Sequence, residues 1–197
     1  MTDILGEKGM DLLLREAHTA QAWIDQPVEE KTLRALYDLV RWGPTSANCS
    51  PARYVFITSD AAKARLKPSL ADINLDKVMA APVTILVGYD MEFYEYLPKL
   101  FPLAPDAKDW FTGSQQLIHD TAFRNGTLQG GYLILAARAL GLDCAPMSGF
   151  DNALADAEFF PEGRIKSNFL CCIGHADASA YLPRTPRLEF SEACQLI

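Results

Sequence analysis

The stretch RWGPTSANCSPARYVFI, residues 41–57, joins the end of a helical pattern to the start of a strand. Apolar residues recur at helical spacing over residues 28–42, and Gly43-Pro44 predicts the end of that helix. The aromatic and β-branched run of residues 53–58 predicts a strand. Between them lies a loop of small polar residues with prolines near its ends, at Pro44 and Pro51. Because proline fixes its own backbone, we expect this loop to have little conformational freedom.

The rest of the chain alternates between predicted helices and strands. Nearly continuous apolar runs are typical of strands covered on both faces, and a serine or aspartate before a periodic segment predicts a helix start. The further predicted elements are strands over residues 82–89 and 167–173, helices over 61–67 and 114–140, and a short last helix from about Phe190. These patterns predict a protein built on an α/β sheet and leave the strand pairing open.

Three glycines, Gly126, Gly130 and Gly131, lie inside the longest predicted helix. Each costs roughly 1 kcal/mol of helix stability relative to alanine. Either close packing of another element or contact with a flat ligand would explain them.

Length and charge limit the classes of function. At 197 residues, we expect one domain spanning residues 1–197. The net charge of −7 does not favour a nucleic-acid partner. Glycines and charges interrupt the first 18 residues, and no apolar run reaches the roughly 18 residues of a membrane span. We therefore expect a cytoplasmic protein without a membrane partner.

Five cysteines without a C-x-x-C pair indicate neither a zinc site nor a disulfide framework. Cys171 and Cys172 are neighbours in a predicted strand, so they are expected to face opposite sides of the sheet. Cys49 is a candidate nucleophile for a hydrolase, but no histidine forms a recognisable local signature with it.

Glycine motifs for nucleotides are absent from the sequence. There is no G-x-G-x-x-G after a strand and no G-x-x-x-x-G-K-[ST], so neither a Rossmann site nor a P-loop is predicted. Any bound phosphate would therefore be held by arginines and hydroxyl groups.

Several short motifs, in their order and spacing, resemble the FMN-dependent nitroreductase family, and most closely its malonic semialdehyde reductases of the Rut pyrimidine-degradation pathway. The likeness covers nearly the whole chain. The motifs are RWGPTSANCSPAR, NLDK followed by APVT, FYEYLP with LFP, WFT, AFRN, RALGLD, PMSGFD, KSN and PRLEFSEAC. The resemblance implies an α+β fold with a central, mainly antiparallel sheet flanked by helices. It also implies an intertwined homodimer with flavin sites at the subunit interface.

The resemblance assigns the loop to the flavin ring. Pro44, Thr45, Ser46 and Asn48 match the family's Pro-Ser-x-x-Asn pattern, which contacts the isoalloxazine from the partner subunit. On this interpretation Cys49 is a bystander.

Two further segments match flavin-binding positions of the family. Asn74 and Lys77 match its Asn-x-x-Lys, at the pyrimidine edge of the flavin, where a cation stabilises the charge left by two-electron reduction. Ser148 and Gly149, after Met147, fall where backbone N–H groups face flavin N5.

The phosphate end departs from the family pattern. Arg187 matches the late phosphate-binding arginine, and Arg184 is a candidate second. The family's N-terminal Arg-Arg-Ser-x-Arg is replaced by residues 16–21, EAHTAQ, in which Thr19 keeps a hydroxyl and His18 offers a partial charge. Arg15, one turn away, is either a substitute or a solvated surface charge.

The implied activity is a ping-pong reductase. NADPH or NADH reduces FMN, and an acceptor then takes hydride from N5; by closest resemblance, malonic semialdehyde becomes 3-hydroxypropionate. A broad nitro or quinone reductase and a flavin-storage protein are the alternatives. Trp110 and Phe111 are either a mobile wall over the flavin or core aromatics, and no catalytic acid or metal ligand is identified.

Overall fold

A computed structural model describes residues 4–197. Its four strands form one sheet in the order β1-β2-β4-β3, and every neighbouring pair is antiparallel. The strands are β1 (Ala52–Ile57), β2 (Val83–Asp90), β3 (Asp143–Met147) and β4 (Ile165–Gly174). The helices are α1 (Glu7–Met10), α2 (Glu30–Val40), α3 (Asp60–Leu66), α4 (Asp72–Ala80), α5 (Leu97–Leu100), α6 (Gln115–Ala139), α7 (Asn152–Phe159) and α8 (Phe190–Ala193). The implied α+β fold with an antiparallel sheet is confirmed.

Helices cover both faces of the sheet. On one face α2 and α6 bury a cluster that includes Leu36, Leu133 and Cys171; on the other, α3 and α4 bury one that includes Leu66 and Cys172. The two neighbouring cysteines therefore lie on opposite faces, as alternation along a strand requires. Because β2 and β4 are covered on both sides, they carry the continuous apolar runs seen in the sequence.

The long helix α6 spans nearly the predicted residues. The Ser114 hydroxyl accepts a hydrogen bond from the Leu117 N–H, which caps its first turn. A Cβ at Gly126 would lie 2.9 Å from Cβ of Tyr89, and one at Gly130 would lie 2.4 Å from the Phe169 ring. Those glycines let the helix pack closely on the sheet, whereas a Cβ at Gly131 would meet nothing within 4 Å.

A buried carboxylate ties β1 and β2 to the residue that precedes β4, near the strand ends that face residues 91–113. Asp90, 1% exposed, accepts hydrogen bonds from Nε and Nη2 of Arg164 at 2.6 and 2.7 Å and from Arg53 at 2.5 Å. Both guanidinium groups also lie over the Tyr96 ring, with centroid distances of 5.0 and 5.4 Å. This clamp fixes the start of the segment that carries Trp110 and Phe111.

Candidate flavin site

A cleft of about 440 Å³ separates the segment before residue 22 from a C-terminal arm, residues 181–187, that has no helix or strand. Four residues predicted at the phosphate end line it together: His18, Thr19, Arg184 and Arg187. Arg15 does not line the cleft, because its guanidinium pairs with Glu7 at 2.7 Å and Asp11 at 2.8 Å. Of the two interpretations of Arg15, a surface charge fits its position.

Short contacts set the two walls of this cleft. Thr19 bridges Cys144 at the edge of β3, which fixes the N-terminal wall to the sheet. Arg184 donates from Nη2 to the carbonyl oxygen of Ala17 at 3.3 Å, and the His18 ring stacks on Tyr181 with centroids 4.7 Å apart. The C-terminal arm is thereby held beside residues 17–19, although Arg184 and Ala17 are 167 residues apart in sequence.

Lys77 lies next to the cleft through Gln21. Its ammonium group donates to Oε1 of Gln21 at 2.9 Å, and Gln21 is itself a lining residue. The Trp23 indole donates to the Lys77 carbonyl oxygen at 3.2 Å, which fixes the end of α4 against this wall. Lys77 does not itself line the cleft, but one hydrogen bond links the predicted pyrimidine-edge cation to a residue of the cleft wall.

Asn74 connects the same helix to the turn after β3. Its Nδ2 donates to the carbonyl oxygen of Gly149 at 3.0 Å, and a Cβ at Gly149 would come within 2.5 Å of that nitrogen. A larger residue here would push the Asn74 amide aside and disturb this hydrogen bond. Met147 ends β3, and among residues 4–197 neither the Ser148 nor the Gly149 N–H finds an acceptor.

The loop that carries Pro44 to Asn48 has an unusual backbone. Ala47, Asn48 and Ser50 have φ of 47°, 52° and 39°, the left-handed region that non-glycine residues seldom adopt. The Thr45 hydroxyl accepts from the Ser50 N–H at 3.1 Å, and Asn48 Nδ2 donates to the Leu100 carbonyl oxygen at 2.8 Å. Strain of this kind persists only where the surroundings over-determine the backbone.

Polar side chains of α6 supply that constraint. Asn125 Oδ1 accepts from the Ser46 N–H and Gln129 Oε1 from the Ala52 N–H, each at 2.9 Å. The Tyr132 hydroxyl donates to the Pro44 carbonyl oxygen at 2.9 Å. These three side chains lie at helical spacing on one face of α6 and hold the loop at both ends.

Trp110 and Phe111 occupy different environments. Phe111 is 8% exposed and packs edge-on against Phe93 at 5.4 Å. Trp110 is 49% exposed, and its indole donates to Asp106. Within this chain, Phe111 lies in the core, and Trp110 alone of the pair has an open surface to offer a ligand.

Cys49 is enclosed by protein. It is 1% exposed, and burial raises the pKa of its thiol to about 11, in spite of a hydrogen bond with Thr45 that lowers it. A neutral, inaccessible thiol is a poor nucleophile. The hydrolase alternative therefore loses its central residue.

A larger cavity lies away from all of these residues. It measures about 750 Å³ and runs between α2 and β1, where Leu33, Tyr37 and Phe56 line it. No residue predicted for the flavin site lines this cavity, whereas four of them line the smaller, cationic cleft.

Four residues that lie beside the predicted positions were given no role in the site from the sequence: Gln21, Asn125, Gln129 and Arg138. Gln21 lies within the N-terminal stretch that departs from the family pattern, and Asn125 lies in the AFRN motif. Arg138 opens the RALGLD motif, but the resemblance gave that arginine no role. Gln129 had no local signal, because a polar residue within a helix ordinarily faces solvent.

Comparison with known proteins identifies the family. The model of the nitroreductase family matches residues 14–175. The chain belongs to the nitroreductase family. A relative from Rhodopseudomonas palustris, provisionally named an NADH dehydrogenase/NAD(P)H nitroreductase, is 54% identical over 197 residues and covers 100% of both chains.

Solved structures share the fold at low sequence identity. A provisionally named nitroreductase from Exiguobacterium sibiricum, in complex with FMN, has a TM-score of 0.88 at 19% identity, covering 100% of both chains. A provisionally named NAD(P)H:FMN oxidoreductase from Staphylococcus epidermidis has a TM-score of 0.84 at 19% identity, also covering 100% of both. Among residues 4–197 no helix combines the length and apolarity needed to cross a bilayer.

Proposed function

We propose that this nitroreductase family member is an FMN-dependent oxidoreductase that uses NADPH or NADH as electron donor. The observation that carries the proposal is the cationic cleft and the hydrogen bond by which its lining residue Gln21 holds Lys77. This arrangement would bring residues for a phosphate and a cation for the flavin ring into one site. The bound FMN of the Exiguobacterium sibiricum protein, which has the same fold, supports this choice of cofactor.

The phosphate end fits a phosphate monoester. Arg184 and Arg187 make their hydrogen bonds to backbone and hydroxyl oxygens, and neither pairs with a carboxylate of residues 4–197. Guanidinium groups bind phosphate oxygens bidentately, so these two, with His18 and the Thr19 hydroxyl, would hold the FMN phosphate.

The ring end fits a flavin. Lys77 would place its charge beside the pyrimidine edge, oriented by Gln21. The free N–H groups of Ser148 and Gly149 would serve as hydrogen-bond donors, and Asn74 fixes that turn. When bound, FMN would supply the two-electron chemistry, taking electrons from NAD(P)H and passing them to an acceptor. The protein contributes binding, orientation and a fixed positive charge.

A homodimer would complete the site. Pro44, Thr45, Ser46 and Asn48 do not line the cleft of their own chain, which is consistent with their reaching a partner's flavin. An apolar stripe on α6 supports such an assembly, because Leu117, Leu128 and Leu135 are 41%, 43% and 37% exposed. We place the interface on this stripe.

The acceptor we propose is malonic semialdehyde, reduced to 3-hydroxypropionate in pyrimidine degradation. Its basis is the motif series from RWGPTSANCSPAR to PRLEFSEAC. A broad nitro or quinone reductase is the second candidate, and the name of the Rhodopseudomonas palustris relative favours it.

Steady-state turnover separates the two candidates. Purified protein loaded with FMN is assayed with NADPH and NADH against malonic semialdehyde, a quinone and a nitroaromatic. The proposal expects the aldehyde to have the highest kcat/KM. If the aldehyde is by far the poorest substrate, the broad reductase replaces it. If FMN binds and no acceptor is turned over, the flavin-storage alternative is favoured.

A further inference from the structure

Arg138 of helix α6 also lines the phosphate end of the cleft. The predicted phosphate residues come from the N-terminal segment and the C-terminal arm, whereas Arg138 comes from the last turn of α6. No motif assigned it a role in binding. It brings a third guanidinium group to the surface shared by Arg184 and Arg187.

Arg138 is anchored with most of its donors left over. Its Nη1 donates to the carbonyl oxygen of Leu13 at 2.7 Å, and it forms no ion pair among residues 4–197. A guanidinium group has five N–H donors, so one backbone bond orients it and leaves others for a ligand. The C-terminal end of a helix also favours a cation at this position.

The charge around Arg138 is one-sided. Among the residues that line the cleft there are three arginines and one histidine, and none is aspartate or glutamate. The whole chain carries a net charge of −7, so this cleft is locally opposite in sign to the protein. Such an arrangement is suited to a dianionic group.

We propose that Arg138 is a phosphate-binding residue that takes the place of the N-terminal arginine pair absent from residues 16–21. The inference rests on the proposed FMN function for the identity of the ligand. Its geometric basis is the cleft that Arg138 shares with His18, Arg184 and Arg187.

The test compares FMN with riboflavin, which has the same ring system without the phosphate. Dissociation constants are measured by flavin fluorescence for wild type, Arg138→Gln and Arg138→Lys. Arg138→Gln should weaken FMN binding by about tenfold or more and leave riboflavin binding unchanged, because a charge-assisted hydrogen bond is lost. Arg138→Lys should keep part of the affinity. Arg124→Gln, an exposed position on the same helix outside the cleft, is the matched control.

Two results would overturn the assignment. Unchanged FMN binding in Arg138→Gln would show that the guanidinium does not reach the phosphate. An equal loss for FMN and riboflavin would show that Arg138 supports the fold through Leu13 alone. Melting curves of each variant without ligand show whether the fold is kept.

Inorganic phosphate gives a test that does not depend on flavin. At constant ionic strength, added phosphate should raise the melting temperature of wild type and have less effect on Arg138→Gln, because a ligand stabilises the state that binds it. If wild type takes up no FMN but this difference appears, the proposed function fails and the anion site stands. If phosphate stabilises both proteins equally, or neither, the assignment of Arg138 to a phosphate site is wrong.

Discussion

The side-chain oxygen of Asn125 accepts a hydrogen bond from the backbone N–H of Ser46 at 2.9 Å, across 79 residues of sequence. Asn125 is 5% exposed, and its Nδ2 donates to the Thr121 carbonyl oxygen, which orients the amide. The helix that carries the exposed apolar stripe therefore also sets the position of the loop.

Removing this acceptor should weaken flavin binding. We expect Asn125→Ala to raise the FMN dissociation constant by about tenfold, since a buried unpaired N–H costs about 1–3 kcal/mol and the strained loop can relax. Asn125→Asp, which keeps an acceptor for Ser46, should recover part of the affinity. Thr127→Ala, which removes the α6 hydroxyl that accepts from Asn168, is the control. Wild-type affinity in Asn125→Ala would contradict a positioning role.

Lys77 should tune the reduction of bound flavin. Replacing it by glutamine removes a cation beside the proposed pyrimidine edge, so reduction becomes less favourable by about 1–2 kcal/mol. For a two-electron couple this lowers the midpoint potential by roughly 20–45 mV. Redox titration of the FMN-loaded variant measures the shift, with exposed Lys67→Gln as the control. An unchanged potential in Lys77→Gln would place the cation elsewhere.

Much of the fold could be predicted because its signals are local. The strands over residues 82–89 and 167–173 carry continuous apolar runs, and the long helix has a serine cap and a glycine stop. By contrast, β3 contains Asp143 and Pro146, and it is a strand because it pairs with β4. In α4 and α7 the buried residues are Val78 and Ala155, too few to make a periodic pattern.

The residues of the candidate site likewise fall into those with a local sequence signal and those without one. Its residues in the predicted loop and turns could be assigned from motifs, but their roles remain predictions. The roles of Arg138 and Gln129 could not be inferred, because they depend on partners that only folding brings near: Leu13 and Ala52 lie 125 and 77 residues away. A polar residue in a helix gives no sign of such a partner.

The buried thiol of Cys49 should be inert in the folded protein. With its pKa raised to about 11, alkylation by iodoacetamide at pH 8 should modify exposed Cys194 first and spare Cys49 until the protein is denatured. Mass spectrometry of peptides locates the label. Cys49→Ser should retain turnover at a stability cost of about 1 kcal/mol. Abolished turnover in this variant would restore the nucleophile hypothesis.

Asp90 should make stability depend on pH. Burial alone raises the pKa of Asp90, but hydrogen bonds from Arg164 and the Glu92 N–H and the charges of both arginines lower it overall. Its contribution is therefore present above the unfolded pKa of about 3.9 and is lost as pH falls through the lower folded value. At pH 7, Asp90→Asn should cost about 3 kcal/mol, because it leaves two arginines without their carboxylate.

Urea unfolding at several pH values measures this effect. The difference between wild type and Asp90→Asn should shrink below about pH 4. Exposed Asp109→Asn should show no comparable loss at pH 7. A difference between wild type and Asp90→Asn that stays constant from neutral to strongly acidic pH would exclude the clamp as its source.

The central claim is that this chain binds FMN and lets NAD(P)H reduce it. The most direct test is an anaerobic titration of the FMN-loaded protein with NADPH and, separately, with NADH, followed by visible absorbance. We predict that at least one donor bleaches the flavin at one equivalent per site and that a suitable acceptor restores the colour. Failure of the purified protein to take up FMN, or a bound flavin that neither donor bleaches, would contradict it.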